Sequence, residues 1–205
     1  MSKRFSILVT IIFVGLVVFW FLPNSRGRMI NFPSSGSRVV AFGDSLVAGV
    51  GSESGGGFIK MLSEDLGVEI INLGVSGNTT KDALSRVGDI EGYQPKTVIV
   101  LLGGNDFLRK VPEEETFQNL EKIIVEIQSL GANVLLLGVR SGVLSSRFDS
   151  AFEELSERLG TAYVPDVLDG VWGKPSLMAD SLHPNDLGYR IIAQMVSPVL
   201  VDLIR

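Results

Sequence analysis

The 205-residue chain has no cysteine, and this absence excludes disulfides, thiolate nucleophiles, iron–sulfur clusters, cysteine zinc sites and a lipoprotein-type lipid anchor. Histidine occurs once, as His183. A single imidazole cannot build a multi-histidine metal centre, and any histidine-dependent mechanism has to run through that position. Acidic residues are missing from residues 1–36, where four of the 18 basic side chains lie (Lys3, Arg4, Arg26 and Arg28). Residues 37–205 therefore carry 14 basic against 23 acidic side chains, a net charge of −9, which argues against nucleic acid as a partner. Two nucleotide and hydrolase motifs are also missing. There is no G-x-S-x-G elbow of the ordinary α/β-hydrolase type, and Gly49-Val50-Gly51 lacks the third glycine of a dinucleotide loop.

Composition divides what is present into three parts: 1–23, 24–37 and 38–205. Phe5 to Leu22 is an uncharged run of 18 residues, preceded by Lys3 and Arg4 and closed by Pro23. As a helix it would be about 27 Å long, close to the hydrocarbon thickness of a bilayer, with Trp20 and Phe21 at the level of an aromatic belt. The expectation is an uncleaved signal anchor through residues 5–22, with the remaining domain on the extracytoplasmic side. The alternative is a cleaved signal peptide, for which Ser25-Arg26-Gly27 is a weak small-x-small site. Basic residues on both sides of the run leave orientation undecided by charge. Residues 24–37, rich in Asn, Ser, Gly and Pro, read as a flexible linker.

Within 38–205, β-branched runs alternate with amphipathic stretches. Five strands are expected: Arg38 to Phe42, Val68 to Asn72, Thr97 to Leu102, Asn133 to Leu137 and Thr161 to Val164. Helical stripes run through Phe117, Leu120, Ile123, Ile124, Ile127 and Leu130, then Phe148, Phe152, Leu155 and Leu159, and finally Leu187, Ile191, Ile192, Met195, Val196, Val199, Leu200 and Leu203. Strand–helix alternation implies parallel strands with right-handed crossovers, hence a three-layer α/β/α sandwich with a five-stranded parallel sheet. Ligands in such a sheet bind at the carboxyl ends of the strands.

Four polar segments fall at those ends. Gly43-Asp44-Ser45-Leu46 follows the first strand and exposes a serine. Gly74-Val75-Ser76-Gly77-Asn78 and Gly103-Gly104-Asn105-Asp106 follow the second and third, where bare amides and a carboxamide could donate to a developing oxyanion. Asp180-Ser181-Leu182-His183-Pro184 precedes the last helix. Its proline holds His183 extended, and an aspartate three residues earlier can reach the ring nitrogen that faces away from a serine. Each segment alone is ordinary turn chemistry; their conjunction at one sheet edge points to nucleophilic catalysis.

These segments, FGDSLVAGVG, NLGVSGNTT, LLGGNDFLR and DSLHPNDLGY, resemble the four blocks of the SGNH (GDSL) hydrolase family, most of all the branch of bacterial thioesterases, lysophospholipases and arylesterases. The resemblance implies a flavodoxin-like fold and a serine esterase acting on carboxylic esters or thioesters, without metal or organic cofactor. It assigns Ser45 as nucleophile and oxyanion donor, Gly77 and Asn105 as the other two donors, and Asp180 and His183 as the rest of the triad. Where many relatives carry a proline-rich substrate loop, residues 139–146 read VRSGVLSS, so acyl preference does not transfer. The alternatives are an O-acetyl esterase or acyltransferase acting on envelope glycans, a non-catalytic binding module, and a flavodoxin-like nucleotide binder that no phosphate loop supports. Oligomeric state is not legible.

Overall fold

The strands form because their runs are apolar on both faces, and each places alternate residues into opposite cores. A computed structural model describes residues 29–139 and 146–205. In it β1 (Arg38–Gly43), β2 (Ile70–Gly74), β3 (Pro95–Leu101), β4 (Asn133–Leu137) and β5 (Ala162–Val164) make one parallel sheet in the order β2-β1-β3-β4-β5. Val39, Ala41, Ile99, Leu101, Leu135 and Leu137 point to one face. Val40, Phe42, Val98, Val100, Val134 and Leu136 point to the other. The period of two, invisible in runs that are hydrophobic throughout, reappears as this division.

Helices cover both faces. α1 (Ser45–Ala48), α2 (Gly57–Leu66) and α7 (Asp186–Ile204) bury Phe58, Leu62, Ile192, Val196 and Leu200 in the first core. α3 (Thr80–Leu84), α5 (Glu113–Ser129) and α6 (Ser146–Leu159) cover the second, with α4 (Gly104–Leu108) at its edge. α5 opens with Glu113, Glu114 and Glu115 against the positive end of its dipole, and Gly131, at φ +81°, follows its last residues. The expected three-layer α/β/α architecture is the one present.

Some boundaries differ from expectation. β2 starts at Ile70 rather than Val68, because Val68 closes α2: its amide donates to Ser63 O (3.2 Å) and its carbonyl accepts from Ser63 Oγ (2.7 Å). Leu187, placed on the buried stripe of the last helix, is 63% exposed in its first turn. That helix, Asp186–Ile204, is the one helix among the described residues long and apolar enough to cross a membrane, but its stripe is packed into the first core. The anchor expected at residues 5–22 lies outside the described residues.

The stretch read as a flexible linker is tied down over its described part. Ile30 N donates to Gly160 O (3.0 Å), and Asn31 Nδ2 donates to Gln128 O (2.7 Å) and Ala132 O (3.0 Å). Ser34 Oγ donates to Gly131 O (2.8 Å), and Met29 packs on the first core. Its short polar side chains satisfy carbonyls exposed between α5 and β4, and the Ile30 amide one just before β5, a use that composition does not reveal.

Candidate active site

Parallel order β2-β1-β3 makes the carboxyl ends of three strands neighbours, since Gly43 registers with Gly74 on one side and Leu101 on the other. The chain winds to opposite faces from β1 and β3, so a crevice opens between them. Ser45 stands at the end of β1, Gly77 beyond β2 and Asn105 beyond β3. Asp44 caps α1, its Oδ1 accepting Leu46 N at 3.0 Å, and turns Ser45 into the first position of that short helix.

His183 reaches Ser45 from 138 residues away, its Nε2 3.0 Å from Ser45 Oγ. Three contacts bring the two loops together. Tyr189 Oη, from α7, donates to Val50 O (2.6 Å). Asp186 accepts from Ser52 Oγ (2.6 Å) and Ser54 N (3.2 Å). Gly51 lies so close beneath that a Cβ there would come within 2.5 Å of Pro184 O. Asp180 completes the arrangement, with Oδ2 2.8 Å and Oδ1 3.1 Å from His183 Nδ1. Oδ1 also accepts Leu182 N (2.7 Å) and His183 N (2.8 Å), which fixes the turn. The hydrogen bond from His183, followed by that from Leu182 N, holds the Asp180 carboxyl down at about 2. It is a carboxylate at any pH where the imidazole could act as a base.

The loops after β2 and β3 flank the one that carries Ser45. Asn105 Nδ2 donates to Asn78 O (3.0 Å) and lies 3.4 Å from Asp44 Oδ2. Gly77, at φ +81°, turns its carbonyl outward to accept from Arg109 Nη2 (2.8 Å). Among the described residues, neither Ser45 N nor Gly77 N has an acceptor. Ser45 N, Gly77 N and Asn105 Nδ2 thus all lie on loops that leave the carboxyl ends of the adjacent strands β1, β2 and β3.

Beneath them is a buried polar layer that the sequence reading missed. Asp106, fully buried, accepts from Thr80 N (2.8 Å) and Thr80 Oγ1 (2.5 Å), and Asn119 Nδ2 donates to the same hydroxyl (3.3 Å). This pins the segment after Gly77 to the helix that carries Asn105. Asp44 is 2% exposed, and burial pushes its carboxyl up to about 6 against the pull of Leu46 N. The block GGNDF was a signal for Asp106, since a carboxylate beside an apolar strand end has to find donors.

A cavity of about 240 Å³ opens on the serine. Phe107, Leu108, Val139, Leu168, Trp172 and Leu182 line it beside Ser45, Asn105 and His183. Residues 140–145 of the divergent loop lie outside the described residues; Val139, which precedes them, forms part of the wall.

Comparison with known proteins places the chain in a family. The profile of the GDSL-like lipase/acylhydrolase family matches residues 41–191. The chain is 31% identical over 176 residues to an arylesterase of Vibrio mimicus, covering 80% of this chain and 88% of the relative. It is 27% identical over 195 residues to thioesterase 1/protease 1/lysophospholipase L1 of Escherichia coli K12, covering 90% and 94%. The crystal structure of TesA superposes with a TM-score of 0.74 at 30% identity, covering 82% of this chain and 99% of TesA. The chain therefore belongs to the GDSL-like lipase/acylhydrolase family, and its chemistry is that of a serine hydrolase acting on ester bonds.

Proposed function

We propose that Ser45 is the nucleophile, His183 its base, Asp180 the residue that orients the base, and Ser45 N, Gly77 N and Asn105 Nδ2 the oxyanion donors. The carrying observation is the line Asp180 Oδ2, His183 Nδ1, His183 Nε2, Ser45 Oγ, with contacts of 2.8 and 3.0 Å at its two ends. His183 Nε2 takes the Ser45 proton as Oγ attacks the acyl carbon, and the carbonyl oxygen becomes an oxyanion facing the three donors. Collapse expels the alcohol or thiol, which receives the proton from His183. Water then attacks the acyl-serine with His183 again as base and releases the acid. Asp180 keeps the proton on Nδ1 and stabilises the imidazolium.

The carbon-lined cavity supports an apolar acyl group as the part recognised. Its volume, somewhat below the range of about 300 to 1,000 Å³ usual for drug-sized ligands, suits a short to medium chain. Fluorophosphonate labelling followed by peptide mapping tests the nucleophile: the adduct is expected on Ser45, and an adduct elsewhere overturns the assignment. A p-nitrophenyl ester series tests the pocket. Rates are expected to rise from acetate to a medium chain; highest activity on acetate would instead favour an O-acetyl esterase.

The membrane tether through residues 5–22 belongs to this reading and is supported by the uncharged run that closes at Pro23. Retention in the membrane pellet through alkaline wash is expected, and release of the intact chain overturns it.

A further inference from the structure

Arg86 lies outside every motif that carries the chemistry, yet its guanidinium touches the segments that hold the donors. Nη2 donates to Gly43 O at 2.8 Å, at the end of β1 and two residues before Ser45. Nη1 donates to Leu73 O at 3.0 Å, near the end of β2. Nε donates to Asn78 Oδ1 at 2.6 Å, beside Gly77. The backbone carbonyl of the same Asn78 accepts Asn105 Nδ2 at 3.0 Å, which extends the chain of contacts to the third donor. The guanidinium carbon sits 4.2 Å from the centroid of the Phe42 ring, so its plane is held as well as its donors.

This is an unusual use of a cation. Among the described residues Arg86 forms no ion pair within 4 Å, and burial lowers its pKa from the ordinary arginine value against the more distant charge of Asp89. All three contacts are to neutral oxygens. A half-buried charge directed at two strand-end carbonyls and one side-chain amide serves geometry, and a planar fork of fixed N–H directions holds three such separated acceptors in a set arrangement. The carbonyl of Gly43 also accepts Val75 N (3.0 Å), so the loops after β1 and β2 meet at the atom that Arg86 holds.

We propose that Arg86 is the positioning residue of the oxyanion site, setting the mutual spacing of Ser45 N, Gly77 N and Asn105 Nδ2 by holding Gly43 O, Leu73 O and Asn78 on one guanidinium. The proposal rests on the donor roles given above. Arg86→Met keeps the stem over Phe42 and removes every donor, and Arg86→Lys keeps the charge without the fork.

The test measures kcat and KM for p-nitrophenyl butyrate on folded Arg86→Met, Arg86→Lys, Asn105→Ala and the double variant Arg86→Met/Asn105→Ala. Arg86→Met is expected to lower kcat by about 10-fold to 10²-fold, the scale of a displacement near 1 Å at reacting groups, with KM changed less than about twofold. Arg86→Lys should recover little of it. The double variant should lose less than the product of the single losses, because Arg86 acts partly through Asn105. A merely structural role would instead lower thermal stability and leave the folded enzyme's kcat unchanged, or give losses that multiply; either overturns the proposal. Should Arg86→Met fail to fold, full kcat in Arg86→Lys overturns it equally. Wild-type kcat in Asn105→Ala would be a different failure, that of the donor assignment itself.

Discussion

The two sides of Ser45 are built on different principles. On the base side, Asp180 and His183 are three residues apart, share one turn, and leave the Asp180 side chain 54% exposed. On the oxyanion side, Asn105 meets Asn78 across 27 positions, Thr80 meets Asp106 across 26, and Arg86 meets Gly43 across 43. There Asp44 and Asp106 are buried, at 2% and 0% exposure. The Asp180–His183 pair is thus local and its carboxylate wet, so water can share that group's hydrogen bonds, although His183 itself meets Ser45 across 138 positions. The proposed oxyanion side is assembled from distant segments over a buried polar floor of Asp44, Thr80 and Asp106, where a displaced group is costly. The machinery that must tolerate proton movement is the loosely enclosed half. The machinery proposed to be preorganised is the half with the buried polar floor.

This contrast predicts a ranking of effects. Asn105→Ala, on the oxyanion side, should lower kcat by about 10²-fold to 10³-fold with KM nearly unchanged, as for a donor used chiefly in the transition state. Steady-state kinetics on a soluble ester checks it, and a rise in KM at constant kcat would make Asn105 a binding residue. Asp180→Asn, on the wet side, should cost less, about 10-fold to 10²-fold in kcat, because an exposed site lets water hold the ring that the carboxylate no longer orients. Its melting temperature should not move measurably. A loss larger than that of Asn105→Ala would break the contrast.

The smallest effect is on stability, at Asp44. Its folded pKa of about 6 lies above the ordinary value of 3.8, so the native state holds this proton more tightly than the unfolded chain does. The resulting stabilisation is complete below pH 3.8 and lost as pH rises through about 6. Asp44→Asn carries no charge at any pH and can still cap α1. Relative to the parent it should gain about 2 kcal/mol between pH 4 and pH 7.5, less than the full shift because part of it is already developed at pH 4. Urea unfolding at the two pH values measures the difference; a gain that does not change with pH would mean that Asp44 is not titrating.

The same contrast explains what was legible in the sequence. Asp180 and His183 share a turn that three residues of sequence contain, and Ser45, Gly77 and Asn105 stand out as polar groups at the ends of apolar runs. β1, β3, β4, α5 and α6 declared themselves by hydrophobic pattern. α1 and α4, four and five residues long, are too short to show a period, and α3 is formed by the Thr79–Asp82 capping box rather than by an apolar stripe. Arg86 was hidden for another reason. An arginine in a polar stretch reads as solvated, and its three acceptors are scattered over 35 positions between Gly43 and Asn78. Asn31 and Ser34 were likewise hidden, because their partners are carbonyls about a hundred positions away.

Those last contacts fix where the chain enters the domain. Residues 29–34 are fastened beside Gln128, Gly131, Ala132 and Gly160, where β4 and β5 begin, whereas Ser45 opens at the finishing end of the parallel strands. A strand of five residues separates the two ends by roughly 17 Å. Coupled to a bead or sensor surface through residue 29 itself, the domain would sit on its underside and present the mouth of the cavity to bulk solution, open to substrate arriving from the side away from the support.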